Sequence, residues 1–336
     1  MALLEVKALN VVYEPERGVR IKAVRDVEFV LEKGEFVGIV GESGSGKSTL
    51  GFAITQMLRP PAFIESGSVR FNGVDISELS GSALRSQRRN GFALVLQSGM
   101  NALNPVRSVI KQIGDVLKAH AREGEHWSKS KVRIRAIELL SMVDLDPQVL
   151  GRYPHELSGG QRQRVAIALA LALEPELIVF DEPTTALDVI VQASVMETIK
   201  SLQRSRGFTA IVISHDMSIV LDVTDRTLVM YAGRVVEDQP SKTVASIGIH
   251  HPYTEALLKC YADPRADKVE LKDIRGTPPD LSLEQRGCFF APRCEFAVEI
   301  CREKTPKLIR SGLVQVACHV RLPGLGVLEE GEVVGR

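Results

Sequence analysis

Residues 41–48 read Gly41-Glu42-Ser43-Gly44-Ser45-Gly46-Lys47-Ser48 and satisfy the pattern G-x-x-x-x-G-K-[ST]. The pattern constrains the fold as well as the chemistry, because it works only as a loop between a strand and a helix. Both flanks are present: residues 35–40 read as a buried strand ahead of the loop, and residues 48–53 open a helical pattern behind it. Glycines let the backbone curl so that successive N–H groups point inward at a phosphate, and the helix start adds the positive end of its dipole. In that geometry Lys47 reaches the β- and γ-phosphates of a nucleoside triphosphate and Ser48 ligates Mg²⁺.

A second element belongs to the same chemistry. Residues 177–180 are apolar and run into Asp181 and Glu182, so two carboxylates stand at a strand's C-terminal end, where open α/β sheets place their ligands. Asp181 suits Mg²⁺ through a water, and Glu182 suits the general base that poises an attacking water. Alone, such a pair reads as a solvated strand edge; the loop upstream reverses that reading.

The surrounding pattern is that of an α/β protein. Residues 4–13, 24–31, 35–40, 68–73, 177–180 and 209–214 read as strands, whereas 132–140 and 195–202 carry helical periodicity. Strand and helix alternation in the second half predicts a parallel sheet. Residues 98–165 change character and read as a helical insertion. Residues 165–173 alternate large and small apolar side chains with period two, yet the segment is alanine-rich and follows Ser158-Gly159-Gly160, so it is expected to be a buried helix.

At 336 residues the chain exceeds what one core usually serves, which predicts one large domain plus an appendage. Forty-two basic and 42 acidic residues cancel, with no dense basic block, which argues against a nucleic-acid partner. No apolar run reaches the roughly 18 residues of a membrane span, and residues 1–5 lack the features of a secretory leader. The expectation is a soluble chain that is not exported.

Gly41 to Ser48, Gln97, Leu157 to Gln161, Asp181 and Glu182, Ala186-Leu187-Asp188 and His215 follow one another in the order and approximate spacing of the nucleotide-binding subunits of ATP-binding cassette (ABC) transporters. The resemblance covers roughly residues 1–250 and implies an ABC-type P-loop domain: a RecA-like parallel core, an N-terminal antiparallel β subdomain and a helical subdomain over 98–165. It implies that ATP is held by Gly41, Ser43, Gly44, Ser45, Gly46, Lys47, Ser48 and Thr49, with Tyr13 stacked on the adenine. Ser48, Gln97 and Asp181 are the implied Mg²⁺ residues. Glu182, His215 and Gln97 are the implied catalytic set, His215 contacting the γ-phosphate and Gln97 sensing Mg²⁺ and the permease. Ser158, Gly159, Gly160 and Gln161 would bind the γ-phosphate of ATP held by an opposite ATPase subunit, with Asp188 at that seam. The physics agrees: a lone phosphate loop leaves the γ-phosphate facing solvent, and a second helix N-terminus can cap it from another molecule.

Within that class, residues 101–105, 153–158, 181–188 and 251–254 resemble the oligopeptide/dipeptide importer group, as does the tail over 251–336. One departure stands at Ser98-Gly99-Met100, where many members carry an Asp-Pro pair. The group implies two transmembrane permease subunits, an extracytoplasmic solute-binding protein, and a peripheral position at the cytoplasmic face of the cell membrane. Its members import peptides, β-linked oligosaccharides, nickel or other solutes. The competing class, a soluble ABC ATPase of DNA repair or translation, carries two cassettes or a long coiled-coil insertion, and neither pattern occurs here.

All five cysteines fall in the last quarter, four of them (Cys288, Cys294, Cys301 and Cys318) as C-x5-C-x6-C-x16-C. In a reducing compartment four thiols suggest metal before disulfide. A zinc site is disfavoured by the missing close pair, an iron–sulfur cluster suits four cysteines, and small buried hydrophobes remain the metal-free alternative. The importer group's tail implies a [4Fe-4S] cluster. His319 is a substitute ligand, and Cys260 reads as a core residue.

Overall fold

A computed structural model describes residues 2–96, 103–121, 124, 126–185, 187–246, 248–260, 274–283, 285–322 and 326–327. In chain order the strands are β1 (Ala2–Tyr13), β2 (Ile21–Glu32), β3 (Phe36–Val40), β4 (Ala62–Phe71), β5 (Val74–Asp75), β6 (Phe92–Val95), β7 (Leu177–Asp181), β8 (Thr209–Ser214), β9 (Arg226–Tyr231), β10 (Arg234–Pro240), β11 (Ile309–Ser311), β12 (Val314–Val316), β13 (Arg321–Leu322) and β14 (Gly326–Val327). The helices are α1 (Lys47–Ile54), α2 (Gly81–Asn90), α3 (Val109–Ala119), α4 (Lys129–Met142), α5 (Gly159–Leu171), α6 (Val189–Arg206), α7 (Met217–Val223), α8 (Ser241–Val244), α9 (Pro252–Cys260) and α10 (Glu299–Glu303). The chain forms two compact units interleaved in sequence: residues 1–3, 31–36 and 71–213, and residues 4–30, 37–70 and 214–336.

The first unit is built on three parallel strands, β6, β7 and β8, in register from Phe92 opposite Leu177 to Asp181 opposite Ile213. Every residue of β7 is buried, as expected for a parallel strand covered on both faces. Helices α3, α4 and α5 give the insertion its helical character. The run at 165–173 is helical through Leu171, where α5 ends: α5 buries Val165, Ile167, Ala168 and Leu171, a three-to-four spacing that its alanines permit. Ser128 caps α4 by accepting the Lys131 N–H.

In the second unit β2, β1 and β4 lie side by side, and a second sheet runs in the order β11, β12, β10, β9, β3. Strand β3 is buried at all five positions and pairs parallel with β9, from Val37 opposite Arg226 to Val40 opposite Val229. Strand β10 pairs antiparallel with β9 on one side and with β12 on the other, where Glu237 faces Val316 and Asp238 faces Gln315. The cysteine-bearing tail therefore contributes strands to this sheet, which its composition did not foretell.

Gly38, in the middle of β3, lies directly under α7. A Cβ there would come within 2.0 Å of Val220 Cγ1 and 3.2 Å of Thr224 Oγ1. Gly38→Ala should destabilise the fold by about 1–3 kcal/mol through overpacking; denaturant unfolding of the variant beside the parent measures it.

Candidate nucleotide-binding site

The loop at 41–48 belongs to the second unit. Gly41, Gly44 and Gly46 have φ of 152°, 77° and 97°, values that side chains other than glycine rarely adopt. Space is as restrictive as torsion: a Cβ on Gly41 would meet Met230 O at 2.2 Å, and one on Gly46 would meet Ala23 O at 2.2 Å. Helix α1 starts at Lys47, with no side-chain cap and no acidic residue in its first turn, so its dipole's positive end suits an anion. The Lys47 ammonium is buried and donates to Gly41 O and Glu42 O, both at 2.8 Å. Tyr13 is half-buried, its hydroxyl 3.1 Å from Thr49 Oγ1. His215 is exposed at the end of β8, between Ser214, whose hydroxyl accepts the Asp216 N–H, and Asp216, which caps α7.

The carboxylates belong to the first unit. Asp181 is the last residue of β7 and is buried. Glu182 follows with φ of 46°, a left-handed conformation that costs a non-glycine residue about 1–3 kcal/mol and clusters at functional sites. Two bonds hold it there: its N–H donates to Ile213 O at 2.9 Å, and its carboxylate accepts the Thr185 hydroxyl at 2.7 Å. Sequence reading missed Thr185 and the strain, since a pattern of residue types carries no torsion.

The second glycine pair is in this unit too. Ser158 caps α5 in a reciprocal box, its hydroxyl accepting the Gln161 N–H at 3.3 Å while Gln161 Oε1 accepts the Ser158 N–H at 3.1 Å. A Cβ on Gly160 would lie 2.6 Å from Val191 Cγ1, and the Val191 N–H is accepted by Asp188, the cap of α6. The structure thus brings 158–161 and Asp188 together at two adjacent helix starts. Beside them Val189 and Ile190 are 80% and 83% exposed. Gln97 and Ala186 lie outside the described residues.

The tail's cysteines converge. Cys288, Cys294, Cys301 and Cys318 line one small cavity with His251, Phe296 and His319, and all are free thiols. Backbone N–H groups aim at three of the sulfurs: those of Phe290 and Ala291 at Cys288, of Phe296 at Cys294, and of Val320 and Arg321 at Cys318. Burial outweighs them, pushing Cys288 up to about 11 and Cys294 up to about 12. Among the described residues, no three His, Cys, Asp or Glu side chains form a group that could hold a metal ion. His319 Nε2–H donates to Lys304 O at 2.8 Å.

A glycine-bound phosphate loop opening a helix, in a chain whose parallel strand ends on a buried aspartate, defines a P-loop nucleoside triphosphatase. The comparisons are more specific. Residues 24–185 match the ABC transporter family, and residues 236–301 match the C-terminal region of oligopeptide/dipeptide transporters. A dipeptide transport ATP-binding protein of Caldanaerobacter subterraneus subsp. tengcongensis is 40% identical over 95% of this chain and 97% of its own. An oligopeptide transport ATP-binding protein of Bacillus subtilis is 41% identical over 92% and 86%. Among solved structures, the dimeric structure of a bacterial ABC transporter cassette has a TM-score of 0.64 at 31% identity, covering 71% of this chain and 98% of that one. The chain belongs to the ATP-binding subunits of ABC transporters, in the branch that carries the oligopeptide/dipeptide C-terminal region, and it is an ATPase.

Gly46→Ala should abolish ATP binding, because the loop must shift to clear Ala23 O, while far-UV circular dichroism stays that of the parent; isothermal titration with ATP reads the loss.

Proposed function

We propose that this chain powers a peptide importer, working as one of two ATPase subunits beneath two permease subunits at the cytoplasmic face of the cell membrane, supplied by an extracytoplasmic solute-binding protein. The observation that carries the proposal is the joint presence of the phosphate loop and the oligopeptide/dipeptide C-terminal region in one chain. Names of the relatives favour peptides over oligosaccharides as cargo. No helix among the described residues is long and apolar enough to cross a membrane, which agrees with separate permease subunits. The proposed division is a nucleotide-binding domain over 1–250, its helical subdomain at 98–165, and the extension over 251–336.

Residue roles are those the family resemblance implies. The loop from Gly41 to Gly46 and the first turn of α1 through Thr49 cradle the phosphates of ATP, and Tyr13 supports the adenine. Lys47 turns from its own loop carbonyls to the β- and γ-phosphates. Ser48, Asp181 and Gln97 hold Mg²⁺, which when bound neutralises charge on the phosphate oxygens. Glu182, held by Thr185, takes the proton of the attacking water, and His215 orients the γ-phosphate. Ser158, Gly159, Gly160 and Gln161 present the start of α5 to the nucleotide of the opposite subunit, and Asp188 lies beside them. The exposed Val189 and Ile190 suit a surface that a partner covers. Closure of the two ATPase subunits drives the permease, with the segment around Gln97 at the coupling contact.

We also propose that Cys288, Cys294, Cys301 and Cys318 hold a [4Fe-4S] cluster. The support is donor number: four thiols line one cavity, with N–H groups aimed at three of the sulfurs, and insertion of the cluster would have to draw them into the ligand group that they do not form in this structure.

Two measurements test these readings. Glu182→Gln should lower kcat for ATP at least about 100-fold and leave an ATP-dependent dimer visible by sedimentation; normal turnover would refute the base assignment. Anaerobically purified protein should contain about four iron and four sulfide per chain, and Cys294→Ser should lose them; a chain purified without iron, or one whose Cys294→Ser variant keeps it, rules the cluster out.

A further inference from the structure

Glu42 is the first variable residue of the phosphate loop, and a carboxylate there is electrostatically awkward, because the loop must receive a polyanion. The C-terminal extension deals with it. Arg293 donates to Glu42 Oε2 at 2.7 Å through one terminal nitrogen and to Oε1 at 3.0 Å through the other. Tyr253 accepts the Glu42 backbone N–H at 2.7 Å. Together with the Lys47 bond to Glu42 O, the residue is held at N–H, carbonyl and carboxylate.

Arg293 is itself over-determined. Besides Glu42, its guanidinium donates to Arg275 O at 2.8 Å, Tyr231 Oη at 3.2 Å and Ile274 O at 3.4 Å. Those five bonds match the five N–H donors of the group. Its side chain is 4% exposed and lies near the rings of Tyr231 and Phe290. The same rings pack on Tyr253, with centroids 4.5 and 5.4 Å away. A surface arginine that merely balanced a glutamate would need none of this.

We propose that Arg293 and Tyr253 are positioning residues for the phosphate loop: they neutralise Glu42 and hold its backbone, so that the loop keeps its shape when Lys47 leaves its own carbonyls for phosphate. The proposal rests on the ATP site described above and adds the extension to it. Preorganisation of this kind lowers the ordering cost of binding and acts on affinity before turnover. A lysine cannot reproduce the two-pronged bond, and Tyr253→Phe removes one acceptor and little else.

The test measures the ATP dissociation constant, kcat and Tm of the full chain and its variants. Tyr253→Phe should raise the dissociation constant about 3-fold and Arg293→Met about 10-fold, which corresponds to about 1.4 kcal/mol, with kcat at saturating ATP within about 2-fold of the parent. Glu42→Gln combined with Arg293→Met should bind ATP more tightly than Arg293→Met alone, because the uncompensated charge is gone. A purely architectural Arg293 gives the opposite result: a lowered Tm, unchanged ATP affinity in Tyr253→Phe and Arg293→Lys, and no recovery in the double variant. That outcome overturns the proposal, and if Arg293→Met does not fold, Tyr253→Phe and Arg293→Lys decide it by the same criterion. Absence of ATP binding by the parent chain would instead overturn the nucleotide reading on which the proposal stands.

Discussion

Two backbone carbonyls, those of Ala23 and Met230, press so closely on Gly46 and Gly41 that neither position accepts a side chain. Most of the second unit follows from this contact. Strand β3 must deliver Gly41 beside the end of β9, hence its parallel pairing with β9 and its burial at every residue. Strand β2 must bring Ala23 against the other end of the loop. What remains between them is a turn whose backbone is fixed before any ligand arrives, and fixed amides lose little freedom when an anion binds.

The first unit is shaped by other devices. Where the loop is shaped by close packing, Glu182 is shaped by strain, a left-handed torsion that a backbone bond to Ile213 and a hydroxyl from Thr185 sustain. The adjacent starts of α5 and α6 are shaped by caps: Ser158 and Gln161 satisfy each other, and Asp188 takes the Val191 N–H. Three physical devices thus shape the loop, Glu182 and the two helix starts, and each leaves a polar group oriented at an element's end.

The local motifs were more legible in the residues than the strand pairing was. Gly41 to Ser48 and Ser158 to Gln161 announce helix starts in short local patterns, since a helix start needs only a cap and small residues to be recognisable. Strands β6, β9 and β10 were missed; β6 is four residues long and pairs with β7, far off in sequence, whereas β9 and β10 form a hairpin whose second strand is bulged and carries a run of polar residues. Residues 165–173 misled by alternation and were rescued by alanine content. Thr185, Tyr253 and Arg293 escaped notice because their significance lies in what they touch, and Arg293 touches a residue 251 positions away. No periodicity encodes such a contact.

The pairing of β12 with β10 has a consequence for how this subunit differs from a minimal cassette. Strand β10 carries three buried polar side chains in a row, Glu237, Asp238 and Gln239, and it has β9 on one side only. The tail closes the other side: β12 pairs with it, and Gln315 bonds Asp238. Without the tail, β10 would be a bare edge with unpaired amides, the kind of surface on which chains associate strand to strand. The extension thus seals an edge that would otherwise invite strand-to-strand association.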